Sequence, residues 1–188
     1  MRVSKERVIE VASEIADTEG LNKLSLKVVA EKLNIRTPSL YNHILSLEEL
    51  LREVAHNGMR SMNEQMTQSA IGYTGDAAIK SVGIAYLEYV TRHPGVYEVI
   101  QWVHWHENDD TKMIFDAYKA LLVKLILSCG WQPKYKDEAL KLLMGVIHGY
   151  VTLELGRALS NYDQVKKEFS EAIEVVLSGL HNKYDNKS

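Results

Sequence analysis

Several residue types that mark particular protein classes are scarce in this sequence. It has 1 cysteine in 188 residues, Cys129, which excludes an internal disulfide and favours the cytoplasm. Residues 1–7 are rich in charge and lack the apolar core of a secretory signal. The longest uncharged apolar-rich stretch, residues 142–153, is shorter than the ~20 residues of a membrane-spanning helix. We therefore expect a cytoplasmic protein without a membrane segment.

Proline is scarce as well, with 3 residues, and no convincing alternation of apolar and polar residues predicts a strand. Hydrophobic residues make up 46% and charged residues 25%, which is ordinary for a folded domain. Long segments with helical apolar spacing lie between the glycines and prolines. The predicted fold class is all-α, with helices at 5–19, 26–33, 37–44, 47–69, 76–92, 96–103, 111–128, 137–159 and 163–181.

Capping residues predict where the early helices begin. Ser4, Ser25 and Thr37 are candidate N-caps, and Pro38 would then occupy the first helical position. The fourth helix has the fullest signature, since Glu49 follows Ser46 by three residues. Leu45 and Leu50 are placed to form a hydrophobic staple there.

Charge is distributed unevenly along the chain. The net charge is −3, yet residues 21–45 carry four basic side chains against one acidic side chain. The basic residues are Lys23, Lys27, Lys32 and Arg36. A small basic patch on an acidic chain is compatible with binding to a polyanion.

Two short predicted helices, 26–33 and 37–44, are joined by Asn34-Ile35-Arg36, which is a helix-turn-helix pattern. The second helix of such a unit enters the DNA major groove. Arg36 suits a guanine edge or a phosphate, and short polar groups suit other base edges. The predicted DNA-binding residues are Lys27, Arg36, Thr37, Ser39, Tyr41, Asn42 and His43. A helical hairpin with a solvated polar face is the alternative.

The run from Leu33 to Ile44, followed by Glu48-Glu49-Leu50-Leu51, resembles the tetracycline-repressor (TetR) family of bacterial regulators. The resemblance covers about residues 4–55. A weaker likeness to the C-terminal domain type named for its Trp-His-Gly signature lies in segments 86–97, 147–156 and 177–180. In that signature His148-Gly149 match, and Val146-Ile147 stand where the tryptophan is expected.

The resemblance implies a homodimeric repressor that a small molecule releases from a palindromic operator. It implies a helix-turn-helix DNA-binding domain at 1–46 and a helical ligand-binding and dimerisation domain at 47–188, with 47–69 as the connecting helix. Leu47 stands where the family usually has a lysine, and Ile44 replaces the commoner aromatic residue. The phosphate contact that this lysine implies is therefore in question, and the backbone N–H groups at the start of the connecting helix are an alternative phosphate ligand.

Residues 142–153 predict a helix that is apolar around its whole circumference and must be covered on every side. A partner subunit would provide the cover if the last helix formed a matching seam, making an intersubunit four-helix bundle. The predicted seam consists of Val165, Phe169, Ala172, Ile173, Val176, Leu177 and Leu180. A central core helix in a monomer is the alternative.

Aromatic, methionine and histidine side chains cluster in the middle of the sequence, as in a mostly apolar pocket with a few polar groups. No cationic cluster accompanies them, which favours an apolar or aromatic ligand. The candidate ligand-binding residues are Tyr86, Tyr89, Trp102, Trp105, Phe115, Tyr118, Met144 and His148. The alternative is that they simply fill the core.

The segment 104–110 holds two histidines and three carboxylates, which suggests a metal site or a helical enzyme using His104 and His106. A loop in which Asp110 caps the next helix is the favoured interpretation. No nucleophile setting or glycine-rich phosphate loop is present, so we expect no catalytic residue, metal or cofactor. A dimeric ligand-binding module without DNA binding is a further alternative.

Overall fold

The computed structural model describes residues 3–104, 108–156 and 164–184, and the fold is all-α as predicted. The described residues form nine α-helices and no strand. None of these helices has the length and apolarity needed to cross a bilayer. The helices are α1 (Lys5–Glu19), α2 (Leu26–Lys32), α3 (Thr37–Leu40), α4 (Leu47–Ser69), α5 (Gly75–Arg92), α6 (Pro94–Trp102), α7 (Asp109–Ser128), α8 (Lys136–Leu155) and α9 (Val165–Tyr184).

The chain divides into two compact units. The first, here called the HTH unit, comprises Met1–Ser61 and Arg92–Phe115, and the second, the bundle unit, comprises Met62–Thr91 and Asp116–Ser188. Helix α6 therefore packs on α1, although it lies far from it in sequence. The functional division into 1–46 and 47–188 stays a prediction.

Local signals explain how the HTH unit begins. The Ser4 hydroxyl accepts a hydrogen bond from the Arg7 amide at 3.3 Å, and the Ser25 hydroxyl accepts one from Val28 at 3.3 Å, so both predicted N-caps are confirmed. Apolar residues of α1 spaced three and four apart are buried, and Val29 and Ala30 of α2 join them. Gly20, at φ 91°, ends α1 as expected.

A carboxylate on α1 holds the start of α6. Asp17 accepts a hydrogen bond from the Val96 amide at 2.8 Å through Oδ1, and its Oδ2 lies 2.8 Å from His93 Nδ1. It thereby supplies an N-cap that α6 lacks in its own sequence. A Cβ atom on Gly95 would lie 2.0 Å from the Ala16 carbonyl oxygen, so only glycine permits this approach.

The start of α4 differs from the predicted capping arrangement in one respect. The Ser46 hydroxyl accepts from the Glu49 amide at 3.0 Å, and the Glu49 carboxylate accepts from the Leu45 amide at 2.7 Å. However, Leu45 is 77% exposed while Leu50 is fully buried, so the predicted hydrophobic staple is wrong. The Leu45 amide bonds the Glu49 carboxylate, and the Leu45 side chain lies in solvent.

The α7 helix begins two residues before the predicted position, and its cap is Asn108 instead of the predicted Asp110. The Asn108 side chain accepts from the Thr111 amide at 2.9 Å. The buried Thr111 hydroxyl lies 2.9 Å from Nε2 of the buried His56 on α4. Burial lowers the pKa of His56, so the neutral ring is favoured.

In the bundle unit α5 packs closely on α9. A Cβ atom on Gly83 would lie 2.7 Å from Ile173 Cδ1, and the ring of Phe169 is the next neighbour. Lys80 pairs with Glu174 at 2.8 Å along the same contact. Gly83 thus permits α5 and α9 to approach to full side-chain contact.

A polar chain ties the α7–α8 connection to α9 and α5. The Trp131 indole N–H donates to His181 Nδ1 at 3.1 Å, and His181 Nε2 lies 2.9 Å from Asp76 Oδ1. Because an indole can only donate, Nδ1 of His181 is the acceptor and Nε2 carries the proton given to Asp76. The indole N–H of the buried Trp131 thereby has a hydrogen-bond acceptor.

The stripe on α9 predicted to meet a partner subunit is instead mostly interior. Val165, Phe169, Ile173, Leu177 and Leu180 are each at most 6% exposed within the single chain, which corrects the sequence interpretation. Helical periodicity identifies an apolar face but does not say which neighbour covers it.

Candidate nucleic-acid interface and ligand cavity

The helix-turn-helix pattern is formed by α2, a turn containing Asn34 at φ 53°, and α3. Helix α3 is shorter than predicted, since it ends at Leu40. Beyond it the amides of Asn42 and His43 bond the carbonyls of Ser39 and Leu40 in i→i+3 fashion, which forms a turn. Arg36 takes the N-cap position predicted for Thr37, and Pro38 is the second helical residue.

The predicted DNA-binding residues lie together on this element and on α2. Leu40 and Ile44 are buried, and the polar side chains between and before them face solvent. Five of the predicted residues are exposed, namely Lys27, Arg36, Ser39, Tyr41 and Asn42. The other two, Thr37 and His43, are half-exposed. The polar face of the turn and α3 is therefore available to a ligand.

Some basic residues of the HTH unit have a carboxylate partner and others do not. Lys32 pairs with Glu19 at 2.8 Å, and Lys27 lies 3.9 Å from Glu31. Lys23 and Arg36 form no ion pair within the part of the chain that the structure describes. No carboxylate among the described residues therefore competes with a ligand for Arg36 at the start of α3.

An apolar cavity of about 30 Å³ lies inside the bundle unit. Its volume is enough for one or two water molecules only. Its lining residues come from four helices. Helix α4 contributes Met66; α5 contributes Ile79, Val82, Gly83 and Tyr86; α7 contributes Tyr118, Leu122, Leu125 and Ile126; and α8 contributes Leu140, Leu143, Met144 and Ile147.

Two polar contacts border the cavity. The Tyr86 hydroxyl lies 2.8 Å from His148 Nδ1, with the rings edge to face at 5.2 Å between centroids. The Tyr118 hydroxyl donates to the Met144 sulfur at 3.9 Å. Burial lowers the pKa of His148, so the cavity is bordered by neutral groups near neutral pH.

The structure brings together four of the eight predicted ligand-binding residues at this cavity, namely Tyr86, Tyr118, Met144 and, through its bond to Tyr86, His148. Tyr89 is buried in the bundle unit but does not line the cavity. Trp102 and Phe115 belong to the HTH unit, and Trp105 lies outside the described residues. The aliphatic lining residues were missed because helical spacing marks them only as core.

A metal site was an alternative prediction for segment 104–110. Among the described residues there is no cluster of three or more histidine, cysteine, aspartate or glutamate side chains that could hold a metal ion. His104 lines a surface hollow of the HTH unit beside Val103 and Arg52. His106 and Glu107 lie outside the described residues.

A helix-turn-helix with an exposed polar second helix, followed by helices that line an apolar cavity, is typical of one-component transcriptional regulators. Comparison with known proteins agrees. Residues 79–176 match the family model described as the tetracyclin repressor-like C-terminal domain. An uncharacterized HTH-type transcriptional regulator of Bacillus subtilis (strain 168), YobS, is 32% identical over 180 residues, 95% of this chain and 93% of that protein.

The chain belongs to the TetR family and is a DNA-binding transcriptional regulator. A protein with unknown function from Rhodococcus sp. RHA1 has the same fold, with a TM-score of 0.81 at 16% identity over 95% of this chain and 96% of that one. A variant of TetR from Acinetobacter baumannii AYE, solved in complex with minocycline, gives a TM-score of 0.71 at 18% identity, with coverage of 98% and 100%. The more specific likeness to the Trp-His-Gly type stays a prediction.

Proposed function

We propose that this regulator is a dimeric repressor that leaves a palindromic operator when a small, mostly apolar ligand occupies the bundle unit. The observation that carries the proposal is the exposed polar face of the turn and α3. Arg36 lies at its start and forms no ion pair with any residue that the structure describes. Family membership supports operator binding. Release requires only that the ligand bind the conformation with low DNA affinity more tightly than the other.

The candidate residues divide by chemistry into base readers and phosphate contacts. We propose that Arg36 reads a guanine edge and that Ser39 and Asn42 read other bases. Tyr41 and Lys27 would contact phosphates and position α3 without reading sequence. Thr37 and His43, half-exposed, would make the flanking contacts.

The test is selection of bound duplexes from a random library, followed by fluorescence anisotropy on the best duplex at several salt concentrations. We expect a palindromic site, since two symmetry-related α3 elements read equivalent half-sites. Arg36→Ala is expected to weaken binding by ~1–3 kcal/mol and to relax one position of the site.

Arg60→Ala serves as the matched control, because Arg60 is an exposed arginine about 20 Å along α4 from its start. It should leave binding unchanged. Failure to select any sequence at low salt would contradict operator binding. Equal losses in both variants would show that Arg36 contributes charge alone.

A dimer is supported by an apolar surface that the single chain leaves open. On α8, Leu142 and Leu153 are 49% and 46% exposed, and a Cβ atom on Gly145 or Gly149 between them would meet nothing within 4 Å. On α9, Val175 is 74% exposed. We propose that these residues, in place of the buried α9 stripe, meet their equivalents in a second copy.

The ligand is proposed to be an uncharged, mostly apolar molecule. None of the described residues that line the cavity is charged, so a charged ligand would lose its hydration without compensation. The TetR variant from Acinetobacter baumannii, which has the same fold, was solved in complex with minocycline, and this supports a small-molecule ligand for the present chain. Expansion of the cavity would start at Met66 and Met144, since methionine side chains repack readily.

The ligand proposal is tested by screening uncharged aromatic compounds for release of the labelled operator. Tyr86→Phe removes the hydroxyl that lies against His148 and keeps the ring. We expect it to weaken release by compounds with a hydroxyl or keto group and to leave operator affinity unchanged. Release that is equally efficient with both proteins would place the ligand elsewhere.

A further inference from the structure

A second hollow, larger than the cavity, lies on the HTH unit. This groove has a volume of about 330 Å³, within the range of about 300–1,000 Å³ typical of small-molecule sites. It lies between the turn after α1, the start of α4, and α6. Its lining consists of Leu21, Asn22, Leu24, Leu47, Leu51, Glu98, Val99 and Trp102.

The groove exposes large apolar groups that would ordinarily be covered. Its floor includes Val99 and Leu24, which are buried, whereas Trp102 is 71% exposed and Leu47 is 37% exposed. A smaller hollow of about 150 Å³ continues from it and shares Leu51, Val99 and Trp102. An exposed indole beside buried apolar residues is a typical feature of a binding site.

The walls of the groove are anchored. Asp17 caps the first turn of α6, and Gly95 lies directly against the α1 backbone. Lys5 on α1 pairs with Glu49 and Glu53 of α4 at 3.3 and 2.8 Å. A ligand would therefore meet a preformed surface, which lowers the entropic cost of binding.

The charge of the groove indicates what kind of molecule fits. Glu98 is the one charged side chain among the eight lining residues, it is exposed, and it forms no ion pair with any residue the structure describes. Glu98 and Trp102 are four residues apart on α6 and so share one face of the helix. The adjoining hollow contains Glu48 and Arg52, whose charges offset each other.

We propose that this groove is a second small-molecule site, selective for a lipophilic organic cation. The apolar floor takes the hydrocarbon part, the Trp102 ring attracts the positive charge through its π face, and the Glu98 carboxylate neutralises it. The site is separate from the cavity of the bundle unit, and it does not depend on the proposed repressor function.

The experiment is isothermal titration calorimetry of the full chain with (naphthalen-2-ylmethyl)trimethylammonium. The comparison ligand is the neutral isostere in which carbon replaces the quaternary nitrogen. We expect a dissociation constant below about 1 mM for the cation and binding about 3- to 30-fold weaker for the isostere. Trp102→Ala should weaken cation binding more than about 10-fold, and Glu98→Gln several-fold.

Two variants control for surface changes elsewhere. Glu64→Gln removes another exposed carboxylate, and Met113→Ala removes another apolar side chain, 64% exposed. Neither should alter cation affinity. Equal affinity for both ligands would overturn the selectivity for a cation, and unchanged binding by Trp102→Ala would overturn the location.

Sedimentation velocity of Trp102→Ala completes the test. A shift to a smaller species would mean that a second copy of the chain occupies the groove, and would overturn the proposal. An unchanged species together with lost cation binding supports it. Because no DNA is present in either measurement, the outcome is distinct from that of the operator experiment.

Discussion

Asp17 shows how much one side chain can organise. Its carboxylate satisfies a backbone donor on α6 and lies against His93, at a distance of more than 75 residues in sequence from both. The side chain is 13% exposed, so water gives little compensation if it is removed. No local pattern marks Asp17, because it caps a helix other than its own.

Asp17→Ala is expected to lower the free energy of unfolding by ~1–2 kcal/mol, since it removes an N-cap and leaves the Val96 amide unpaired. Urea denaturation followed by circular dichroism measures the change. Asp17→Asn keeps an oxygen for the Val96 amide and should recover part of the loss. Wild-type stability in Asp17→Ala would contradict the capping role.

Two buried histidines predict how stability depends on pH. Burial lowers the pKa of His56 and of His148 below the ordinary value of 6.5. Below about pH 6.5 the unfolded chain therefore binds more protons than the folded chain, and the free energy of unfolding falls as the pH drops. Above about pH 6.5 both histidines are neutral in the folded and the unfolded chain, so this loss of stability is absent there.

Urea titrations at about pH 7 and pH 5 test this point. We expect the stability difference between the two conditions to shrink when His56 and His148 are both replaced by glutamine, which does not titrate. The half-exposed His43, also replaced by glutamine, is the control. A control that flattens the pH dependence as much as the double variant would show that burial is not the cause.

At the scale of elements, the hydroxyl caps and the hydrophobic staple predicted for the HTH unit had different outcomes. Hydroxyl caps act over three residues of one chain segment, and they form as the pattern predicts at Ser4, Ser25 and Ser46. The staple at Leu45 requires a particular direction of the incoming chain, and that direction depends on how the turn after α3 packs.

Ser25→Ala is expected to lower the free energy of unfolding by about 1 kcal/mol, because the Val28 amide loses its acceptor. Leu45→Ala should change it by less than about 0.5 kcal/mol, since the side chain is 77% exposed. Chemical denaturation of both variants measures this contrast. A larger loss in Leu45→Ala than in Ser25→Ala would favour the staple.

At the scale of the whole molecule, the open surface of α8 and α9 bears on assembly. A chain in which Leu142, Leu153 and Val175 are all about half-exposed or more leaves apolar area in water that a second copy would cover. Small residues at 145 and 149 leave room for a close helix approach.

Val175→Asp is expected to dissociate the proposed dimer, because it places two carboxylates in an apolar interface without partners. Sedimentation velocity at micromolar concentration should detect the monomer, and operator affinity should fall at least ~10-fold in the same variant. Met113→Asp introduces the same charge at another exposed apolar position and should stay dimeric. A dimer that persists in Val175→Asp would contradict this interface.

The sequence by itself determined the all-α class, the positions of most helices, three of the hydroxyl caps and the helix-turn-helix. These features follow from interactions within a few residues, so spacing and side-chain chemistry are enough to predict them. Family membership was also apparent from the run around Leu33 to Ile44, and the comparisons confirm it.

Only the tertiary structure decided which apolar faces are interior and which side chains meet. It buried the α9 stripe that was predicted to face a partner, and it assigned Trp102 to a different unit from the Tyr86–His148 pair. It also set Asp17 against α6. A helical pattern states that a face must be covered, but its cover comes from segments distant in sequence, and packing of the whole chain selects among them.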